Sequence, residues 1–353
     1  MSATLVTVAI VLVFIVIFQL AKISEYTSIL KGKEGVDEEN DKYASWMFLI
    51  FLIIGFILLI GSLVVYIPKM LPVAASVHGK WIDSMFNVTL FFTGIVFVAC
   101  QIALFYFAWK YSHKKGRKAL YYPENNKLEI WWTVIPAIVM TGLVIVGVYR
   151  WFEIMSPAPA NAQVIEITGK QFNWIVRYPG ADGKLGAHDF KLIDETNQVG
   201  MDFTDPNSKD DLMPTDMHLL VNKPVMLKIQ ARDVIHDVGL PQFRIHMDAV
   251  PGIPTTFWFT PDITTDEMKK ITGNKDFQYE LACDQLCGKG HFSMKMNVYV
   301  DSPEEYAKWL ASQKSFYEST IKGTPEEQNA IQAAQKLHGE EAQEKKPTEK
   351  KEI

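Results

Sequence analysis

Cysteine is scarce in this chain, with three in 353 residues. No Cys-x-x-Cys-His occurs, so no c-type haem is attached to the chain. Basic charge is not in excess, since the formal net charge is -5, and nothing points to nucleic acid. Serine, histidine and aspartate are nowhere grouped in a hydrolase signature. The N-terminus has no basic segment before its first apolar run and no clear A-x-A site after it. That run therefore reads as a retained helix and not as a cleaved signal peptide.

Long apolar runs are plentiful, and they are confined to the first part of the chain. Ser2–Ala21, Met47–Ile67, Met85–Trp109 and Ile130–Tyr149 carry no charged residue. Each is long enough to cross a bilayer core about 30 Å thick, which takes about 20 helical residues. Trp131, Trp132, Tyr149 and Trp151 mark the two ends of the last run, as interfacial aromatics do. Pro136 lies early in that run, where a neighbouring helix or the interface must repair the lost backbone bond. Lys110, Lys114, Lys115, Arg117 and Lys118 crowd the connection after the third run, which places it on the cytoplasmic side. The loop Lys22–Lys42 is then cytoplasmic too, and everything after the fourth run is external. Cys100, inside the third run, reads as an ordinary small apolar residue.

After a linker, Ser156–Ala162, the pattern changes to short β-type stretches. They are Val164–Thr168, Phe172–Tyr178, Val225–Ala231, Thr256–Phe259, Phe277–Ala282 and Met296–Val300. Val225, Leu227 and Ile229 alternate with Met226, Lys228 and Gln230, the period of a strand with one face in a core. Such strands, punctuated by Gly, Pro and Asn, predict a sandwich or barrel. Residues 179–216 are rich in Gly, Asp and Asn and read as a surface insertion. Within it Asp202, Asp205, Asp210 and Asp211 are expected to form a solvated acidic loop, with steering of a basic partner as the sharper reading. Tyr306, Trp309, Leu310, Gln313 and Tyr317 fall on one face of a terminal helix. From Lys322 onward the chain is Lys/Glu/Gln-rich with little to bury, and is expected to be helical in part and otherwise disordered.

The other two cysteines lie in Cys283-Asp-Gln-Leu-Cys287-Gly-Lys-Gly-His291-Phe-Ser-Met294. Two thiols, an imidazole and a thioether in so short a stretch favour copper, zinc or iron–sulfur over oxygen-loving ions. His236, in Arg232-Asp-Val-Ile-His236, is the best further ligand upstream. The hypothesis is a dicopper electron-transfer site with both cysteines bridging. A disulfide between Cys283 and Cys287 is permitted outside the cytoplasm, but does not call for His291 and Met294 after it. A structural zinc site normally shows four Cys/His ligands. A mononuclear blue-copper site uses one cysteine and leaves the second over. For His236 the bland reading is a satisfied core histidine.

The Cys283–Met294 motif resembles the CuA signature of subunit II of the haem–copper respiratory oxidases. Arg232–His236 with Phe243-Arg-Ile-His-Met-Asp248-Ala-Val-Pro-Gly252 resembles that family's first-histidine segment. Gly169-Lys-Gln-Phe-Asn-Trp174 is similar to its aromatic segment, and Leu128–Pro136 to the start of its last membrane helix. The resemblance covers residues 85 to 310 or so, with the motifs in order.

It implies an α+β membrane protein whose N-terminal transmembrane helices precede an all-β cupredoxin-like Greek-key domain. The expected divisions are two additional helices and their loop over 1–67, a transmembrane hairpin over 85–152, the CuA domain over 160–300, and a C-terminal helix and charged tail over 301–353. The family usually carries two membrane helices, so the resemblance says nothing of the first two. It further implies a bacterial inner (plasma) membrane protein with several spans and its CuA domain on the periplasmic face.

By resemblance, Cys283 and Cys287 bridge two coppers as thiolates, and His236, arriving from a separate loop, and His291 each bind one. Met294 and the main-chain carbonyl of Gln285 are weak donors. Electrons come from cytochrome c or a c-type cytochrome domain. They pass to haem in subunit I, which with the other oxidase subunits holds the haems and CuB. That partner reduces oxygen to water and pumps protons. Two departures stand out. Gln285 replaces the usual glutamate, and its neutral amide is a poorer magnesium ligand, so the family's magnesium site is doubtful here. Phe172 stands where tryptophan is common at the point where electrons enter, while Trp174 is kept. Ordinary core packing is the competing reading for both aromatics. A CuA subunit of a nitric oxide reductase and a membrane-tethered copper chaperone are the alternative functions.

Overall fold

The computed structural model describes residues 2–31, 33–114 and 116–344. Lys115, counted among the cytoplasmic basic residues, and the tail over 345–353 lie outside the described residues. The chain divides into two compact units, residues 1–71 with 88–139 and residues 72–87 with 140–353.

Four long helices, α1 (Ser2–Lys31), α2 (Lys33–Met70), α3 (Val77–Lys110) and α4 (Asn126–Ile154), account for the apolar runs. Among the described residues each is long and apolar enough to cross a membrane, the qualifying part of α1 being Val11–Leu30. Their apolar side chains are largely exposed, as expected of surfaces solvated by lipid. Trp46 meets Trp109 edge to face, with ring centroids 5.5 Å apart.

The second unit is a two-sheet β domain. Its strands are β1 (Gln163–Lys170), β2 (Asn173–Arg177), β3 (Met217–Leu220), β4 (Val225–Ala231), β5 (His236–Leu240), β6 (Ile245–Ala249), β7 (Thr255–Phe259), β8 (Tyr279–Cys283) and β9 (Lys295–Asp301). One sheet runs β2-β1-β4-β7 and the other β3-β9-β8-β5-β6. The pairs β1–β4 and β3–β9 are parallel, and the remaining pairs are antiparallel. Together the sheets form the expected cupredoxin-like domain. Ile165, Ile167, Val225, Leu227 and Ile229 are fully buried between them, so the alternation in β4 does mark its core face. Each such side chain contributes about 1.5–3 kcal/mol by leaving water. Phe243 closes the core against Phe259 and Tyr279 at 5.1 and 5.0 Å.

The segment before α3 and the first turns of α3 belong to this domain, which the sequence pattern does not indicate. Ala75 donates its N–H to the Gln242 carbonyl at 2.8 Å, and the Ser76 hydroxyl donates to the Phe243 carbonyl at 2.9 Å. Asp83 accepts from both Nε and Nη2 of Arg244 at 2.8 and 2.9 Å.

Residues 179–216 and the C-terminus correct two expectations. The insertion is not a solvated excursion, because Val199, Met201 and Phe203 are buried against Tyr317 and Ile321. Its aspartates are internal hydrogen-bond acceptors. Asp211 is fully buried and accepts from Arg177 Nη1 at 2.9 Å and from Gly186 N–H at 3.0 Å. Asp202 accepts from Thr204, Asp205 from Ala187 and Asn207, and Asp210 from Asp182. Backbone amides and one arginine in a folded loop compete successfully with water for these oxygens. The expected terminal helix stops early. Helix α6 covers Pro303–Ser312, begun by a Ser302–Glu305 capping box, and Tyr317 sits in a separate π-helical turn, Tyr317–Ile321. Beyond Lys322, helix α7 (Pro325–Glu344) buries Ala334 and Leu337 against Leu192. The short helix α5 (Thr265–Thr272) has its own capping box from Thr264.

Candidate metal centre

Strand β8 ends on Cys283, and the chain returns as β9 from Lys295. The intervening loop is closed at its base by Cys283 N–H donating to the Met294 carbonyl at 3.1 Å. His236 is the first residue of β5, not a loop residue as expected. It is paired with Ala249 of β6, while Val238 pairs with Cys283. Pairing β5 beside β8 therefore brings an imidazole from far upstream to the cysteine loop.

The donors converge on one another. The Cys283 and Cys287 sulfurs lie 3.9 Å apart, both buried and not joined. His236 Nδ1 is 3.8 Å from the Cys283 sulfur, and His291 Nδ1 is 3.8 Å from the Cys287 sulfur. The Gln285 carbonyl stands 3.2 Å from Cys283 and the Met294 sulfur 3.8 Å from Cys287. Each thiol thus has its own imidazole and its own weaker donor. Met294 and His236 are fully buried. Burial first, and then the neighbouring Cys283, push the Cys287 thiol up to about 11. Two thiolates at this spacing need a cation between them.

Two residues outside the motif hold the site in place. His236 Nε2 is 2.8 Å from the Asp233 carboxylate; with the proton there, Nδ1 keeps its lone pair for a metal, a common outer-shell arrangement. Burial acts to raise the Asp233 carboxyl, but N–H donors from Gln171 and Val234 and the His236 ring outweigh it and hold it low. Gln171 donates its backbone N–H to Asp233 at 2.8 Å and its side-chain amide to the Cys287 carbonyl at 2.6 Å. Asp233 was visible in Asp-Val-Ile-His, three residues before His236. Gln171 lies inside the aromatic segment Gly169–Trp174, where Phe172 and Trp174 drew the reading and nothing singled it out.

The two aromatics have different situations. Trp174 is buried, its ring 6.0 Å from that of His236 and edge-on. Phe172 is 38% exposed and lies over the metal loop. A Cβ on Gly290 would stand 2.4 Å from its ring, so only glycine lets the loop pass this close.

The donor chemistry fits a soft metal. Two thiols, two imidazole nitrogens and a thioether are copper or zinc ligands, and the thioether and spare thiol fit copper better. Together the fold and the site define a cupredoxin-like metal domain carried on membrane helices. Residues 64–151 match the family model described as "Cytochrome C oxidase subunit II, transmembrane domain". Residues 163–301 match "Cytochrome C oxidase subunit II, periplasmic domain". Similar proteins include the "Alternative cytochrome c oxidase subunit 2" of Bradyrhizobium diazoefficiens, 36% identical over 67% of this chain and 81% of that one. The "Cytochrome c oxidase subunit 2" of Thermostichus vulcanus is 28% identical over 68% and 77%. That of Cereibacter sphaeroides is 27% identical over 69% and 78%. The chain belongs to the cytochrome c oxidase subunit II family. It is an oxidase subunit, a membrane protein with a periplasmic domain, and the oxidase reading stands over a nitric oxide reductase one. Membership implies copper at this donor set.

Proposed function

We propose that Cys283, Cys287, His236, His291, Met294 and the Gln285 carbonyl hold a dinuclear copper centre. It would take single electrons from a c-type cytochrome and pass them to haem in the oxidase's catalytic subunit. The observation that carries this reading is the pair of buried, unlinked thiols, each facing its own imidazole nitrogen at 3.8 Å. Bound copper supplies the one-electron redox couple. The protein's part is to keep the donors still, so that a change of charge moves few atoms. Asp233 fixes the His236 tautomer, and Gln171 ties the loop at Cys287. Phe172, at the surface over the loop, is where a donor's electrons would enter, with Trp174 supporting His236 from beneath.

In this reading the helices make a four-span subunit of a bacterial plasma membrane, in lipid and against subunit I. Domain limits follow at 1–67, 85–152, 160–300 and 301–353. Proton pumping and oxygen chemistry belong to the partner. Magnesium is not part of the proposal.

Metal analysis and electron paramagnetic resonance of the purified full chain test the centre. Two tightly held coppers per chain are expected, with the hyperfine pattern of one electron shared equally by two nuclei. Cys287→Ser should abolish that pattern. One labile copper that exchanges readily with chelator would support a chaperone instead, and a persistent wild-type spectrum in Cys287→Ser would rule out the bridge.

A further inference from the structure

Strands β5 and β8 send alternate residues to opposite sides of their sheet. His236 and Cys283 go inward to the copper ligands, so Asp237 and Asp284 go outward. The register places Asp237 opposite Asp248 and Gly239 opposite His246 on β6. On β8, Val238 pairs with Cys283 and Gly239 with Ala282, which puts Asp284 alongside Asp237. The outer face therefore carries carboxylates in a row across three strands, with His246 diagonal to them. Like charges set opposite one another in a sheet are destabilising unless something positive lies between.

His246 Nδ1 is 2.9 Å from Asp284 Oδ2 and 3.8 Å from Asp237 Oδ1. The donor atoms of Asp237, His246 and Asp284 all lie within 4.8 Å of one another. Ligands about 2.0–2.2 Å from one divalent ion sit roughly 3–4.4 Å apart. Asp237 is only 9% exposed, and its Oδ1, which faces His246, is buried without a hydrogen-bond partner. Leaving such an oxygen unpaired is destabilising, and a bound cation would satisfy it. Room for the third ligand is made by a glycine: a Cβ on Gly239 would stand 2.1 Å from Asp284 Oδ2.

The geometry points to a second metal site on this face, in which Asp237, His246 and Asp284 bind one divalent first-row ion, manganese or zinc. Imidazole with carboxylates suits these ions better than magnesium or calcium. The site shares no ligand with the copper centre and backs onto it through adjacent residues of the same two strands. It stands independently of the dicopper reading.

The test is a titration of the copper-loaded full chain in detergent with Mn2+, following the signal of the free ion by electron paramagnetic resonance. Loading with copper closes the thiol site, and Mn2+ has little affinity for thiolates in any case. One Mn2+ per chain should bind saturably and be displaced by Zn2+. Losing an outer-shell partner typically weakens a metal 10–100-fold, so loss of a ligand in Asp284→Asn or His246→Ala should weaken it by at least about tenfold. Gly239→Ala, which keeps all three ligands but displaces the Asp284 carboxylate, should weaken it too. His246 is well exposed, so His246→Ala serves if the Asp284 variant does not fold, with the copper spectrum as the check on folding. Absence of saturable binding, or equal affinity in His246→Ala and the parent, would overturn the site and leave His246–Asp284 an ion pair only.

Discussion

Asp233→Asn probes how firmly the proposed copper ligands are held by a group outside the donor set. The Asp233 carboxylate accepts from His236 Nε2 and Val234 N–H on one oxygen, and from Gln171 N–H on the other, each at 2.8 Å. Asparagine keeps one acceptor and turns the other into a donor. If its oxygen serves His236, its amide N–H faces the Gln171 N–H; if it serves Gln171, the His236 proton loses its partner. Either way one hydrogen bond to a charged group is lost, which is worth about 1.5–3 kcal/mol. At about 1.4 kcal/mol per factor of ten, copper affinity should fall roughly 10- to 100-fold, the range seen when outer-shell partners are removed. Asp233's side chain is 32% exposed, and water can take up part of the loss, so the lower half of that range is expected.

The assay is equilibrium competition for copper between the full chain and a chelator, parent against variant. Thermal unfolding of the metal-free forms separates a binding loss from a folding loss. An affinity unchanged within about threefold, where about tenfold is the least expected, would refute the role given to Asp233. So would a loss of affinity fully explained by loss of fold.

Other perturbations have equally definite outcomes. Arg177 is buried between Glu166 and Asp211, with nitrogen–oxygen distances of 2.9 Å to each. Arg177→Met strands both carboxylates and should cost about 3–5 kcal/mol, read as a lower urea midpoint. Burial outweighs Arg177 and pushes the Asp211 carboxyl up to about 6. The folded value lies above the unfolded one of about 3.9, so this group's contribution is fullest below pH 4 and is lost as pH rises to about 6. Unfolding midpoints measured across that window should carry a component that falls with pH and is missing in Asp211→Asn. Leu337→Ala empties the contact with Leu192 and should cost about 2 kcal/mol, the low end for a buried leucine; faster proteolysis within α7 would register it. Phe172→Ala should slow electron uptake from a c-type cytochrome in stopped-flow mixing without changing copper content.

Much of the centre was legible because four donors sit within one short loop, Cys283 to Met294. Soft-donor chemistry is stated by residue type there and needs no fold to be noticed. His236 was legible through the residues before it, although its place at the start of a strand was not. Strand β5 escaped notice because His236–Leu240 is buried along its whole length, so no alternation of polar and apolar residues betrays it. Strand β6 does alternate, Ile245, Met247 and Ala249 against His246 and Asp248, but it is short and stood in the sequence only as part of the histidine segment. A partly helical tail was expected, but the docking of helix α7 escaped for the reason opposite to that of β5. Its buried face consists of little more than Ala334 and Leu337, with Ala330 and Ile331 packed nearby, which composition averages drown in Glu, Gln and Lys. The buried aspartates of residues 179–216 look like any solvated acidic loop until the partner amides are known.

Register is what makes the metal face of this domain dependable. A β-ladder that slips by one residue exchanges its two faces. Here that would aim Asp237 and Asp284 at the copper donors and turn His236 and Cys283 outward. Val238 and Leu240 on β5, and Tyr279 and Leu281 on β8, are all buried in the core, so each slip would also drive apolar side chains to the surface at about 1.5–3 kcal/mol apiece. The loop adds anchors that slip would break: Cys283 to Met294 at its base, Gln171 at Cys287, and Phe172 against Gly290. The hydrophobic core thus sets the ligand geometry before any metal arrives. Substitutions at Val238 or Leu281, remote from the donors in chemistry, should disturb the copper spectrum as well as stability.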